Sequence, residues 1–293
     1  MANSPQPCPD FTGAPAPGGN RLTEEGGKGL AEELEAATVR KNTLKQKLNA
    51  GKDTFGPFVN MPSPGMTEMM GWFGFDFVII DCEHGSMDYE TAENMVRAAE
   101  LSGTTAIVRI GMNVQQHIQR YLDAGAHGVL IPLINSRADA RAVVDAVKYP
   151  PVGKRGLFGG RGSMYGVEPI ADYVKSANEE TFVGLQIETL EGLANQDEII
   201  ATPAADLIFL GPGDMSLNMG YPGQAMHPKV IETIEKLTPK ILKAGKHVGT
   251  ITDPSQTKRW HDIGIRWHVT STNRFLTAGA RGYLDACRKM LGG

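Results

Sequence analysis

VGLQIETLEG at residues 183–192 and ADLIFLGPGDMS at residues 205–216 each run from an apolar stretch into polar chemistry. Thr181 to Ile187 has the length and β-branched content of a buried strand, and Leu207 to Leu210 has the same character in fewer residues. The first delivers Gln186 and Glu188 at its carboxyl end; the second passes through Gly211-Pro212-Gly213 to Asp214. In parallel α/β folds ligands collect at the carboxyl ends of strands, so two carboxylates in equivalent places after successive strands can share one small cation. The candidate donors are all oxygens, which suits a hard divalent ion. Taken singly, each acid reads equally well as a helix cap or a turn residue, and the Gly-Pro-Gly run as a tight turn. The argument rests on the pair.

Outward from this pair, one unit repeats along the chain: short apolar run, polar corner, amphipathic helix. Strands are expected at Thr54 to Asn60, Phe75 to Asp81, Thr105 to Arg109, Gly128 to Pro132, Phe182 to Ile187, Leu207 to Leu210, His247 to Ile251 and Arg266 to Thr270. Helices fit between them, among them Glu191 to Ile200 and Pro228 to Ala244. Strands and helices in this number and order predict an α/β protein of the (β/α)8 TIM-barrel class. Met1 to about Gly29 is rich in proline, glycine and small polar residues and is expected to be a disordered tail, so residues 30–293 form the single barrel domain. Leu30 to Leu48 is expected to be a helix that lids one end of the barrel. The last helix, Phe275 to Leu291, carries Phe275, Leu276, Tyr283, Leu284, Cys287 and Leu291 and asks for a partner surface.

A barrel gathers the carboxyl ends of its strands whatever their separation in sequence. The second strand ends in IIDCEHGSMD, offering Asp81, Glu83 and His84; the third ends at Arg109; the first ends near Phe58 and Asn60. With Glu188 and Asp214 these supply a metal pair, a guanidinium suited to a carboxylate or a developing enolate, and a histidine able to move protons near neutral pH. Asp81, three residues before His84, is expected to orient the imidazole. The backbone N–H groups around Gly211, Pro212, Gly213 and Asp214 suit a bound carboxylate. Arg109 reads alternatively as a structural counter-charge and His84 as a rim histidine. His127 precedes its strand and belongs at the opposite end. No lysine falls at a strand end, which disfavours imine chemistry.

Composition bounds the alternatives. A formal charge of −4 gives no reason to expect nucleic acid or an acidic membrane as partner, and no apolar run approaches a membrane span. Three scattered cysteines make neither a disulfide framework nor a zinc site, and the start MANSPQPCPDF lacks the pattern of a leader. A cytoplasmic setting is expected. With no GxGxxG after the first strand and no P-loop, a nucleotide cofactor is not indicated.

The strings DCEHG, VRI, YPPVGKRG, LQIET and GPGDMSLNMGYPG, in this order from about Asn42 onward, resemble the HpcH/HpaI aldolase family. These are class II pyruvate aldolases such as 4-hydroxy-2-oxoheptanedioate and 2-dehydro-3-deoxyglucarate aldolases. The resemblance implies a barrel whose last helix is exchanged with a neighbouring subunit, giving dimers that build a hexamer. It implies Mg2+, Mn2+ or Co2+ on Glu188 and Asp214 with Gln186 beside them. It implies Arg109 on the pyruvate oxygen, His84 with Asp81 on the proton, and the backbone from Gly211 to Asp214 on the substrate carboxylate. The expected reaction is cleavage or formation of 4-hydroxy-2-oxo acids from a 2-oxo acid and an aldehyde through a pyruvate enolate. The alternative is an oxaloacetate decarboxylase or a macrophomate synthase-like enzyme using the same enolate. A CoA-ester lyase would need a basic platform that the sequence does not offer. The chain departs from the family at Phe58, where tryptophan is common, at Cys82, in GLFGGRGSMYG (156–166) and in TSTNRF (270–275), so the acceptor aldehyde stays open.

Overall fold

In the computed structural model, residues 41–167 and 169–291 are described. The predicted tail and most of the predicted Leu30 helix lie outside them. Eight parallel strands close into a barrel in sequence order: β1 (Thr54–Val59), β2 (Phe77–Asp81), β3 (Thr105–Arg109), β4 (Gly128–Ile131), β5 (Phe182–Ile187), β6 (Leu207–Leu210), β7 (His247–Ile251) and β8 (Trp267–Ser271). β1 pairs with both β2 and β8, which closes the ring. The (β/α)8 expectation holds.

Residues of alternate strand positions fill the interior: Phe58, Phe77, Ile79, Ile107, Leu130, Phe182, Leu207, Phe209, Trp267 and Val269. Trp267 stacks on Phe77 at 4.7 Å and meets the edge of Phe209 at 5.5 Å. Space for that indole comes from Gly249, where an added Cβ would lie 2.4 Å from the ring. The other strand positions face outward and pack against the helices in a second, larger apolar layer. The helix Thr43–Asn49 drives Leu44 and Leu48, 0% and 2% exposed, into the interior cluster, so it lids the barrel as expected. It closes the end where the strands begin, opposite the predicted site.

Local chemistry sets the helix starts. Ser63, Asp88, Ser136 and Thr189 each accept a first-turn N–H with the side chain. One predicted helix differs. Glu191 to Ile200 is two short helices, Leu190–Ala194 and Gln196–Ile200, parted at Asn195, whose amide donates to the Asn135 carbonyl instead of continuing a helix face. The helix after β6 begins at Pro212, so Asp214 lies inside its first turn, because proline's fixed φ and missing N–H suit a first helical position. The last helix, Thr272–Met290, buries only Thr272; Phe275, Leu276 and Leu284 are 42%, 47% and 46% exposed. Among the described residues no helix is long and apolar enough to cross a membrane.

Candidate active site

β2 and β3 run side by side with Asp81 opposite Arg109, and both side chains are buried where the strands end. Arg109 grips Asp81 with a two-pronged contact, Nε to Oδ1 at 2.8 Å and Nη2 to Oδ2 at 2.6 Å. Its guanidinium carbon also lies 4.2 Å from the centre of the Phe58 ring, a cation–π contact from β1. Asn60 donates to Asp81 Oδ2, and Ser271 at the end of β8 donates to Asn60 Oδ1 at 3.4 Å. The guanidinium is thus held by contacts from β1 and β2, with Ser271 of β8 behind Asn60.

One expected pairing is corrected. Asp81 does not receive the His84 imidazole: its Oδ1 accepts the backbone N–H groups of Glu83 and His84, each at 3.3 Å, while Arg109 and Asn60 take the rest. A residue three positions after an acid in a tight turn presents its N–H to that acid, and its ring points elsewhere. The His84 side chain is 62% exposed, and its Nε2 lies 3.7 Å from Glu83 Oε2.

β5 delivers the second half of the site. Glu188 is 2% exposed; Oε1 accepts the Leu133 N–H at 3.1 Å and Oε2 accepts from Gln186 Nε2. Leu133 donates from a left-handed backbone, φ 54°, a strained conformation for leucine. Burial pushes the Glu188 carboxyl up to about 7, and the charges of Asp214 and Glu83 push the same way against the two hydrogen bonds. Glu83 is also raised, first by burial and then by Asp81 and Asp214, with Arg109 and His84 opposing. Asp214, exposed on the first turn after β6, therefore shares an electrostatic field with both glutamates.

Gly211 passes directly over this pair: a Cβ there would lie 2.8 Å from Glu188 Oε2 and 3.3 Å from Gln186 Nε2. Pro212 is buried and Gly213 opens to empty space. Gln186 spends its N–H on Glu188, and its buried Oε1 has no hydrogen-bond partner. Among the described residues no group of three or more His, Cys, Asp or Glu is placed to hold a metal ion.

Other candidates fall away. His127 lies at the amino end of β4, where Nδ1 accepts the Ala106 N–H at 2.9 Å. Cys82 is pushed up to about 12 by burial, which makes it an inert thiol. Two lysines have lowered pKa values, Lys148 at about 8 and Lys246, both through burial. Both ammonium groups donate to backbone carbonyls that precede β5 and β6, away from the site. A cavity of about 290 Å³ walled by His127, Arg155, Arg161 and Tyr173 also lies at that end. Sequence reasoning missed the roles of Leu133, Asn60 and Glu83. Only the last two carried any signal, by standing at strand ends.

A closed barrel with buried acids and a clamped arginine at its carboxyl-end mouth has the architecture of a (β/α)8-barrel enzyme, whose active sites lie at that end. The chain belongs to the HpcH/HpaI aldolase/citrate lyase family, whose model matches residues 54–258. It is 34% identical over 227 residues to a hydroxypyruvate/pyruvate aldolase of Roseobacter denitrificans, covering 77% of this chain and 89% of the relative. It is 32% identical to a 4-hydroxy-2-oxo-heptane-1,7-dioate aldolase of Shigella sonnei, covering 84% and 94%. A solved HpcH/HpaI aldolase/citrate lyase family protein of Burkholderia cenocepacia superposes with a TM-score of 0.79 at 28% identity, over 85% of this chain and 100% of that one. The protein is an enzyme of the aldolase and lyase type.

Proposed function

We propose that this enzyme is a divalent-metal-dependent carbon–carbon lyase that cleaves or forms 4-hydroxy-2-oxo acids through a pyruvate enolate. The observation that carries the reading is the Glu188 cradle. A carboxyl raised to about 7 beside two further acids, with the orphaned Gln186 Oε1 next to it, is a site short of positive charge. The residues fit Mg2+, Mn2+ or Co2+: Glu188 and Asp214 supply two oxygen ligands, and such ions take their remaining ligands from water and substrate. When bound, the ion polarises the 2-oxo group and offsets negative charge that develops on it.

The chain's own groups do the rest. Arg109, locked by Asp81, presents its remaining N–H groups to the oxygen that gains charge. His84 takes a proton from the pyruvate methyl group; the C–H electron pair becomes the enolate C=C bond. That carbon then attacks the aldehyde carbon, forming the new C–C bond, and a proton returns to the alkoxide oxygen. Cleavage runs the same steps backward. The backbone from Gly211 to Asp214 receives the substrate carboxylate, as the family resemblance implies. The exposed apolar face of Thr272–Met290 supports exchange of this helix between subunits of a dimer-based assembly, with a hexamer as the expected product. A reducing cytoplasmic setting suits its free cysteines.

The test is loss of the pyruvate methyl proton signal in deuterated water with and without Mg2+. Metal-dependent exchange supports the reading, and no exchange with any divalent ion removes it. Carbon dioxide release from oxaloacetate above the metal-only background, without aldehyde-dependent carbon–carbon bond formation, would favour the decarboxylase reading instead.

A further inference from the structure

Two of the stretches in which the chain departs from the family, Phe58 and TSTNRF (270–275), meet at the mouth of the barrel. Phe58 of β1 lies in register with Ser271 of β8, and the buried Thr272 donates from Oγ1 to the Phe58 carbonyl at 3.2 Å. Asn60, one residue past β1, stands between Ser271 and Asp81. Its Oδ1 accepts from Ser271 Oγ at 3.4 Å, and its Nδ2 donates to Asp81 Oδ2. The amide fits only this way round, because the reverse would set its oxygen lone pairs against a carboxylate. Ser271 is oriented in turn: its Oγ accepts the Asn273 N–H at 3.2 Å, which leaves its own proton for Asn60.

Asp81 and Arg109 are both buried, so their pairing depends on how completely the carboxylate's remaining lone pairs are filled. The two oxygens are served unequally. Oδ1 accepts from Arg109 Nε and from the N–H groups of Glu83 and His84; Oδ2 accepts from Arg109 Nη2 and, among the described residues, otherwise from Asn60 alone. Resting on the reaction proposed above, we infer that Asn60 is a positioning residue: its amide holds the Asp81 carboxylate in the plane of the Arg109 fork, and so aims the guanidinium at the oxygen that gains charge. It acts through Asp81 and not on the substrate. Without that amide, Oδ2 loses a donor in a dry site, and the carboxylate is free to turn toward the corner N–H groups and take the fork with it.

The test is pyruvate methyl exchange with saturating Mg2+ in Asn60→Leu and Asn60→Asp, both close to asparagine in size. Asn60→Leu should lower kcat about tenfold, because it fills the space without the donor. Asn60→Asp sets a second carboxyl against Asp81, and two such groups share one proton. Protonated, the new carboxyl donates as the amide does; ionised, it repels. The ratio of variant to wild-type kcat should therefore stand near one at about pH 5 and fall about tenfold by about pH 9. Arg109, Glu83 and His84, the other charges around Asp81, are common to both proteins, so their own titrations largely cancel in that ratio. Both variants within about twofold of wild type, a ratio flat in pH, or a loss that does not recover when the same sample is acidified would overturn the inference. A second readout does not need the reaction. In 1H–15N spectra of the metal-free protein the Arg109 Nε–H signal, assigned with Arg109→Lys, should move in Asn60→Leu, and a signal that stays in place overturns the inference. If wild type exchanges no methyl proton, the reaction proposed above fails, and this signal alone decides whether Asn60 holds the fork.

Discussion

Glu188 is the residue on which the proposed metal dependence and stability meet. A carboxyl whose folded pKa stands above its unfolded value contributes stability that is complete below the unfolded value and lost as pH rises through the folded one, here about 7. Metal-stripped protein should therefore lose stability between about pH 4.5 and pH 7. Glu188→Gln should restore up to about 3 kcal/mol of it at pH 8 and change little at pH 4, as read by thermal unfolding. The fold can accept that change, because Gln186 can turn its amide so that the free Oε1 receives the new N–H. The same proton competes with the ion: Mn2+ affinity of wild type should fall as pH drops below about 7, about tenfold per unit at the steepest, in calorimetric titrations. Arg109→Lys should cost about a hundredfold in kcat, since a point charge replaces both the fork on Asp81 and the donors facing substrate. Activity within a fewfold of wild type would take Arg109 out of the reaction.

At the scale of elements, the sequence made the strands legible and the turns much less so. Thr105–Arg109, Phe182–Ile187, Leu207–Leu210 and His247–Ile251 have the predicted bounds, because each is an apolar run cut off by a polar corner. The pairing of Asp81 was not legible, because distance along a chain does not say whether a turn offers its neighbour an N–H or a ring. Nor was Leu133: a leucine gives no sign that it will adopt φ 54° to reach a glutamate 55 residues away. Two predictions belong here. Gly211→Ala is conformationally allowed at φ −84°, but its methyl meets Glu188 Oε2, so Mn2+ affinity should drop about tenfold with melting little changed. Leu133→Gly should keep the N–H on Glu188 and relieve the left-handed strain. The half-exposed side chain gives up little burial, so unfolding should show a gain of up to about 1 kcal/mol. A loss of stability would mean that the leucine side chain, and not its backbone, matters.

For the whole molecule, the division between the two ends of the barrel follows from which residues the chain places before and after each strand. The amino end carries the Leu44 and Leu48 lid and the buried lysines tied to carbonyls; the carboxyl end carries acids whose charges oppose one another. The last helix shows the same logic outward. Leu276 and Leu284 lie two turns apart on one exposed face, so changing both to glutamate should shift sedimentation toward a smaller species while leaving the barrel's circular dichroism intact. An unchanged sedimentation coefficient would show that this face holds no second subunit.

The Trp267–Phe77 stack, with Phe182 and Phe209 against it, makes the centre of the barrel solid. No molecule can thread through from one side to the other. Both fragments of the acid cleavage proposed above would therefore leave through the same carboxyl-end mouth by which the substrate enters.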